Sequence, residues 1–140
     1  EDHEAVDCAL RRADALELAE RPMPELSGGQ RQRAYLAMAL AQGAETVLMD
    51  EPTAFLDIRR QLGVMDTARS LADEGRAVAI VTHDLGLALR RADAIAVMQD
   101  GQLRMLDAPE AVFESGVIDE VFGVRLRRME TPDGLQYYFA

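Results

Sequence analysis

Lysine is the first thing missing. All 15 basic residues are arginine. A phosphate-binding loop of the G-x-x-x-x-G-K-[ST] type needs its lysine, so none occurs in these 140 residues. Cysteine is nearly missing: Cys8 alone excludes an internal disulfide and suits a reducing cytosol. His3 lies near it, but two groups do not make a metal site, and helix surface and core positions are expected for them. No apolar run approaches the roughly 20 residues that span a bilayer. No basic-then-apolar opening marks a signal peptide. Glu1-Asp2-His3, without an initiator methionine, reads as the middle of a longer chain. Positive charge is scarce as well. The net charge of −10 disfavours non-specific binding to nucleic acid or anionic lipid.

Apolar residues are plentiful, at 49%, enough for a core. The length fits one domain or part of one. Val47-Leu48-Met49 runs straight into Asp50-Glu51, and Pro52 stops the run. This predicts a short buried strand that delivers two carboxylates to a sheet edge. In open α/β sheets ligands bind at that edge. One carboxylate there can hold hydrated Mg²⁺ and the other can polarise a water. Alone, the pair reads first as two solvated acids before a turn.

Around that strand the chain alternates. Glu4 to Glu20 predicts one broken helix or two short ones, with Ala5, Ala9, Leu10, Ala13, Leu16 and Ala19 inward, closed by Pro22 and Pro24. Ser27 is placed to cap a helix from Arg31 to Gln42, with Leu36, Ala39 and Leu40 as its stripe. Gly28 and Gly29 before that helix let the backbone approach an anion closely. Arg31 and Arg33 read as solvated. Ile58 to Glu74 predicts the longest helix, with Ile58, Leu62, Met65, Ala68 and Leu71 buried. Asp57 is a candidate cap for it. Ala77 to Val81 predicts a strand buried on both faces, ending at Thr82-His83-Asp84. Ala94 to Gln99 is a third strand, turning at Asp100-Gly101. Short helices follow from Pro109 and Val117, then a terminal hairpin around Thr131-Pro132-Asp133-Gly134. Strand–helix–strand alternation implies parallel pairing.

Four motifs then stand in register: Leu26-Ser27-Gly28-Gly29-Gln30, the strand ending Asp50-Glu51-Pro52-Thr53, Leu56-Asp57, and a lone His83 after an apolar strand. Together they resemble the signature motif, Walker B strand, D-loop and switch histidine of the ATP-binding subunit of ABC transporters. The resemblance covers nearly the whole chain. It implies an α/β fold: a partial P-loop NTPase of the ABC ATPase type, with a mostly parallel sheet flanked by helices, lacking the Walker A half. Residues 1–44 would be part of the helical subdomain, 45–108 the C-terminal part of the ATPase core, and 109–140 the closing helices and hairpin. Gln30-Arg31-Gln32-Arg33-Ala34, Phe55-Leu56-Asp57-Ile58 and Asp119-Glu120-Val121-Phe122 are similar to iron-siderophore, haem and cobalamin importer ATPases.

The resemblance also implies roles. Ser27, Gly28, Gly29 and Gln30 would touch the γ-phosphate of an ATP held by a second nucleotide-binding domain in a homodimer. Asp50 would orient Mg²⁺ through water, and Glu51 would be the general base. His83 would hold the in-line geometry, and Asp57 would couple the two sites. Permease subunits, and indirectly a substrate-binding protein, are the implied partners, with no nucleic acid. The implied place is the cytoplasmic face of the inner membrane, held peripherally, and the chain by itself would be inactive. In related sheets the Walker A strand lies beside the histidine strand, so strands 46–50 and 77–82 should pair and strand 94–99 should lie beyond an empty slot. Open edges of that kind favour exchange between chains or oligomers. Two other readings compete: the head of a DNA-repair or chromosome-maintenance ATPase, and a non-catalytic module acting on a partner's ATP.

Overall fold

The computed structural model describes residues 2–54, 56–132 and 134–140. They form two compact units, divided between Thr82 and His83. Phe55 and Asp133, which belong to two of the motifs read above, lie outside the described residues.

The first unit opens with helix α1, Asp2–Arg12, followed by 3-10 turns at Leu16–Leu18 and Met23–Glu25. Pro22 and Pro24 stop helix propagation there, as their missing N–H groups require. Helix α2, Gly28–Ala41, precedes strand β1, Thr46–Asp50. Helix α3, Ile58–Asp73, leads to strand β2, Ala77–Val81. The two strands pair in parallel, with Leu48 opposite Ala79 and Asp50 opposite Val81. Val47 and Met49 of β1 are buried with Ala37 and Leu40 of α2 and Ala68 and Leu71 of α3.

Only that face of the pair is covered. Leu48 is 73% exposed and Val81 54% exposed. The expectation that β2 is buried on both faces is therefore corrected. Parallel strands normally carry helices on both sides, but among the described residues the helices pack against one. The face expected for α3 is also corrected. Ile58 and Leu62 are exposed, and Val64 takes their place beside Met65, Ala68 and Leu71. Helical spacing allowed either stripe, since the two differ by less than one turn. Along Glu4 to Glu20, Ala9 and Ala13 are buried while Ala5, Leu16 and Ala19 are exposed, and Leu18 enters the core instead. His3 and Cys8 are both exposed, so neither is a core residue.

The second unit contains helix α4, Leu85–Arg91, then hairpin β3, Ile95–Gln99, with β4, Gln102–Asp107. Helices α5, Pro109–Ser115, and α6, Val117–Phe122, follow. Strands β5, Leu126–Thr131, and β6, Gly134–Phe139, form the terminal hairpin. Leu89, Val97, Val112, Ile118 and Leu126 make its core. Asp100 and Gly101 both adopt positive φ, as the tight β3–β4 turn demands. The expected hairpins are both present. The expected parallel pairing is present at β1–β2, and within the second unit β3 pairs with β4.

Candidate functional site

The Ser27 loop is a capped helix start. The Ser27 hydroxyl accepts from the Gln30 N–H at 3.3 Å, and the Ser27 N–H donates to Gln30 Oε1 at 2.9 Å. This reciprocal capping box orders both residues. Gln30 thus has a structural task besides the one that the resemblance implies. Ser27→Ala is expected to lower the stability of the first unit by about 1 kcal/mol, read from chemical denaturation. An unchanged midpoint would show that the cap carries no weight.

Ser27, Gly28, Gly29 and Gln30 line one cleft together with Arg33, Leu56 and Arg60. Exposed helix-start N–H groups and two guanidiniums suit an anion. No Cβ contact within 4 Å would oppose a side chain at Gly28.

Arg33 is not solvated, contrary to the expectation. It is 6% exposed, and its side chain reaches Glu17 at 2.9 Å and Asp14 Oδ2 at 3.4 Å. It also donates to the Asp14 carbonyl. The sequence signal for this was weak, because a guanidinium on a helix is usually on the solvent side. Hydrogen bonding to its own backbone, then Arg33, holds the Glu17 carboxyl below its ordinary range.

Strand β1 ends where the carboxylates were expected. Asp50 is exposed. Glu51 is half-buried and adopts φ +47°, a left-handed conformation uncommon for a non-glycine residue. Three hydrogen bonds hold it there. Its N–H donates to the Val81 carbonyl at 2.9 Å, and its carbonyl accepts from the Ala54 N–H at 3.0 Å. Gln32 Nε2 of α2 donates to the same carbonyl at 3.3 Å. The left-handed region costs an L-residue about 1–2 kcal/mol, and such strain gathers at functional positions. Carboxylate oxygen Oε2 of Glu51 is buried. Gln32, which sequence reasoning passed over, ties the helix of the Ser27 loop to the end of β1.

Asp57 caps α3: its carboxylate accepts from the Arg60 N–H at 3.0 Å and pairs with the Arg60 guanidinium at 2.7 Å. The Arg60 backbone bond, with the guanidinium beside it, holds the Asp57 carboxyl below its ordinary range. Asp57 lines a second cavity of about 520 Å³, whose walls also include Arg33 and Arg60. The first unit therefore gathers the Ser27 loop, the Asp50-Glu51 strand end and Asp57. His83 belongs to the second unit, where it is exposed and its carbonyl accepts from the Leu85 N–H at 3.1 Å. Asp84 caps α4 through the Leu87 N–H at 2.8 Å. Among the described residues no cluster of three or more His, Cys, Asp or Glu could hold a metal ion.

Residues 1–54 match the family model described as ABC transporter. Along nearly its whole length the chain is similar to ATP-binding proteins of ABC importers. It is 42% identical to a hemin import ATP-binding protein of Rhodococcus jostii over 94% of this chain and 45% of that one. It is 44% identical to a petrobactin import ATP-binding protein of Bacillus anthracis over 86% of this chain and 45% of that one. Among solved structures, the ATP-binding cassette MJ0796, in a dimeric post-hydrolysis state bound to ADP and Pi, aligns with TM-score 0.70 and 30% identity. That alignment covers 76% of this chain and 46% of the cassette. The fold is that of part of an ABC ATPase domain. The chain spans about half the length of the curated relatives it matches. The two import relatives differ in cargo but hardly in identity to this chain.

Proposed function

We propose that the chain supplies the signature and Walker B portion of an ATP-hydrolysing importer subunit for a metal chelate such as a siderophore or haem. The observation that carries this is the first unit's pairing of two elements. A capped Ser27-Gly28-Gly29-Gln30 loop lines an arginine-flanked cleft, and a parallel strand ends in Asp50 and a strained Glu51. Gln32 ties the two together. In this reading Ser27 and the two glycines contact the γ-phosphate of ATP held by a second nucleotide-binding domain. Glu51 accepts a proton from the attacking water, and His83 keeps the transfer in line. Phosphoryl transfer requires mainly positioning and charge stabilisation, which these groups provide.

The donor set fits Mg²⁺ in one limited sense. Mg²⁺ keeps several waters and takes one or two carboxylates plus phosphates. Asp50, exposed at the strand end, supplies one such carboxylate. When bound, the ion would neutralise phosphate charge. Asp57, bound to Arg60 at the start of α3, couples the two sites of the dimer. Permease subunits and, indirectly, a substrate-binding protein are the further partners, at the cytoplasmic face of the membrane. Among the described residues no helix is long and apolar enough to cross it.

Equilibrium dialysis against MgATP tests this reading. The chain by itself is expected to bind no nucleotide up to millimolar concentration, because it has no phosphate-loop lysine. Adding a cassette that carries its own phosphate loop is expected to produce ATP turnover. Micromolar binding by the chain unaided, or no turnover in the mixture, would overturn the proposal.

A further inference from the structure

We infer that Arg33 is the positioning residue of the signature loop, clamping helix α2 to the Asp14–Glu17 turn so that the loop's N–H groups hold one direction. Its relevance to catalysis rests on the functional reading above; the clamp itself rests on geometry.

Arg33 is the only charged residue among the described residues that is buried. Burying an arginine demands that its donors be met, because a buried charge is costly unless paired and hydrogen-bonded. Here all three contacts run from Nη1 to one short stretch, while Nε is buried without a hydrogen-bond partner among the described residues. Glu17 Oε1 lies at 2.9 Å, Asp14 Oδ2 at 3.4 Å, and the Asp14 carbonyl accepts from the same nitrogen. Asp14 adopts φ +50°, so the turn between α1 and the first 3-10 segment is bent into the left-handed region. The turn is locked on its other side by Ala15 N–H to the Leu10 carbonyl at 2.8 Å and Asp14 N–H to the Arg11 carbonyl at 3.1 Å.

The position along α2 matters. Arg33 lies six residues past Ser27 on the same helix, and both line the same cleft. The carboxylates remain accessible to solvent, with side chains 87% and 59% exposed for Asp14 and Glu17. A fixed cation inside and two wet carboxylates outside make a one-sided anchor. Rotation of α2 about its axis would strip Arg33 of both partners while leaving its charge buried. The capping box orders the loop locally, through contacts within Ser27–Gln30. Only Arg33 and Gln32 tie that end of the helix to other elements by side-chain hydrogen bonds among the described residues.

Amide hydrogen exchange tests the clamp without nucleotide. The probes are the Gln30 and Arg31 amides, which donate to Ser27 Oγ and the Ser27 carbonyl. Arg33→Met keeps the apolar stem and removes the fork. It is expected to speed exchange at Gln30 and Arg31 by about tenfold or more, with the amides of β1 and β2 unmoved. Arg33→Lys keeps charge without the fork and is expected to restore part of the protection. Glu17→Gln, at an exposed partner, is expected to give a smaller rise in the same amides and keeps the test decisive if Arg33→Met does not fold. No rise in any variant, or an equal rise throughout the first unit, would overturn the clamp.

Turnover with a phosphate-loop cassette is measured in parallel. Wild-type turnover with no local rise in exchange would overturn the clamp and leave the functional reading standing. A local rise with no wild-type turnover would overturn the functional reading and support the clamp.

Discussion

Glu51→Gln is expected to reduce ATP turnover by roughly 10²- to 10⁴-fold when the chain is combined with a cassette that brings a phosphate loop. The amide keeps the size of the carboxylate and can still hydrogen-bond a water. It cannot accept a proton, and that difference isolates the base. The conformation around residue 51 should survive the change. The bonds from Glu51 to Val81, Ala54 and Gln32 all run through its backbone N–H and carbonyl. These three bonds do not depend on the side chain, so the left-handed φ of +47° is expected to persist in Glu51→Gln. Nucleotide association in the mixture is expected to persist, because the signature loop is untouched. Steady-state phosphate release with a parallel measurement of bound ATP separates the two effects. Undiminished turnover in Glu51→Gln would remove Glu51 from the base role and shift attention to Asp50 or His83.

Leu71→Ala carries the largest expected loss of stability. Leu71 is 0% exposed and sits on α3 in the cluster that includes Val47 and Met49 of β1. Truncating a buried leucine removes its transfer free energy and leaves a cavity that closes only in part, at a cost of about 2–5 kcal/mol. Leu62→Ala on the same helix is the control. Leu62 is 41% exposed, so its loss is expected to stay within about 0.5 kcal/mol. Exchange of the β1 and β2 amides, read against denaturant, follows the first unit without averaging it with the second. Equal losses for the two variants would mean that the buried stripe of α3 is wrongly assigned.

That stripe shows where sequence reasoning stopped. Spacing along Ile58–Asp73 announced a helix and its length, but it did not choose between Ile58-Leu62 and Val64 for the inner face. The choice depends on where β1 and β2 lie, and hydrophobicity along one helix does not contain that. The same holds for the strands. Val47-Leu48-Met49 and the Ala77–Val81 run are apolar on both sides, so the sequence implied two covered faces, yet Leu48 and Val81 are exposed.

The local chemistry was legible without coordinates. Ser27 and Asp57 were readable as caps because a short polar side chain before a helical run has few better uses. The four motifs and their order pointed to the family, since each is a short stretch readable without its surroundings. The missing lysine excluded a phosphate loop outright. What only the tertiary structure decided were relations between segments far apart in the chain: Gln32 on the Glu51 carbonyl, the left-handed turn of Glu51, and the burial of Arg33 against Asp14 and Glu17. An arginine or glutamine on a helix has the same pattern whether it faces water or a carbonyl. Its partner is set by packing, and packing is a property of the assembled chain rather than of any stretch within it.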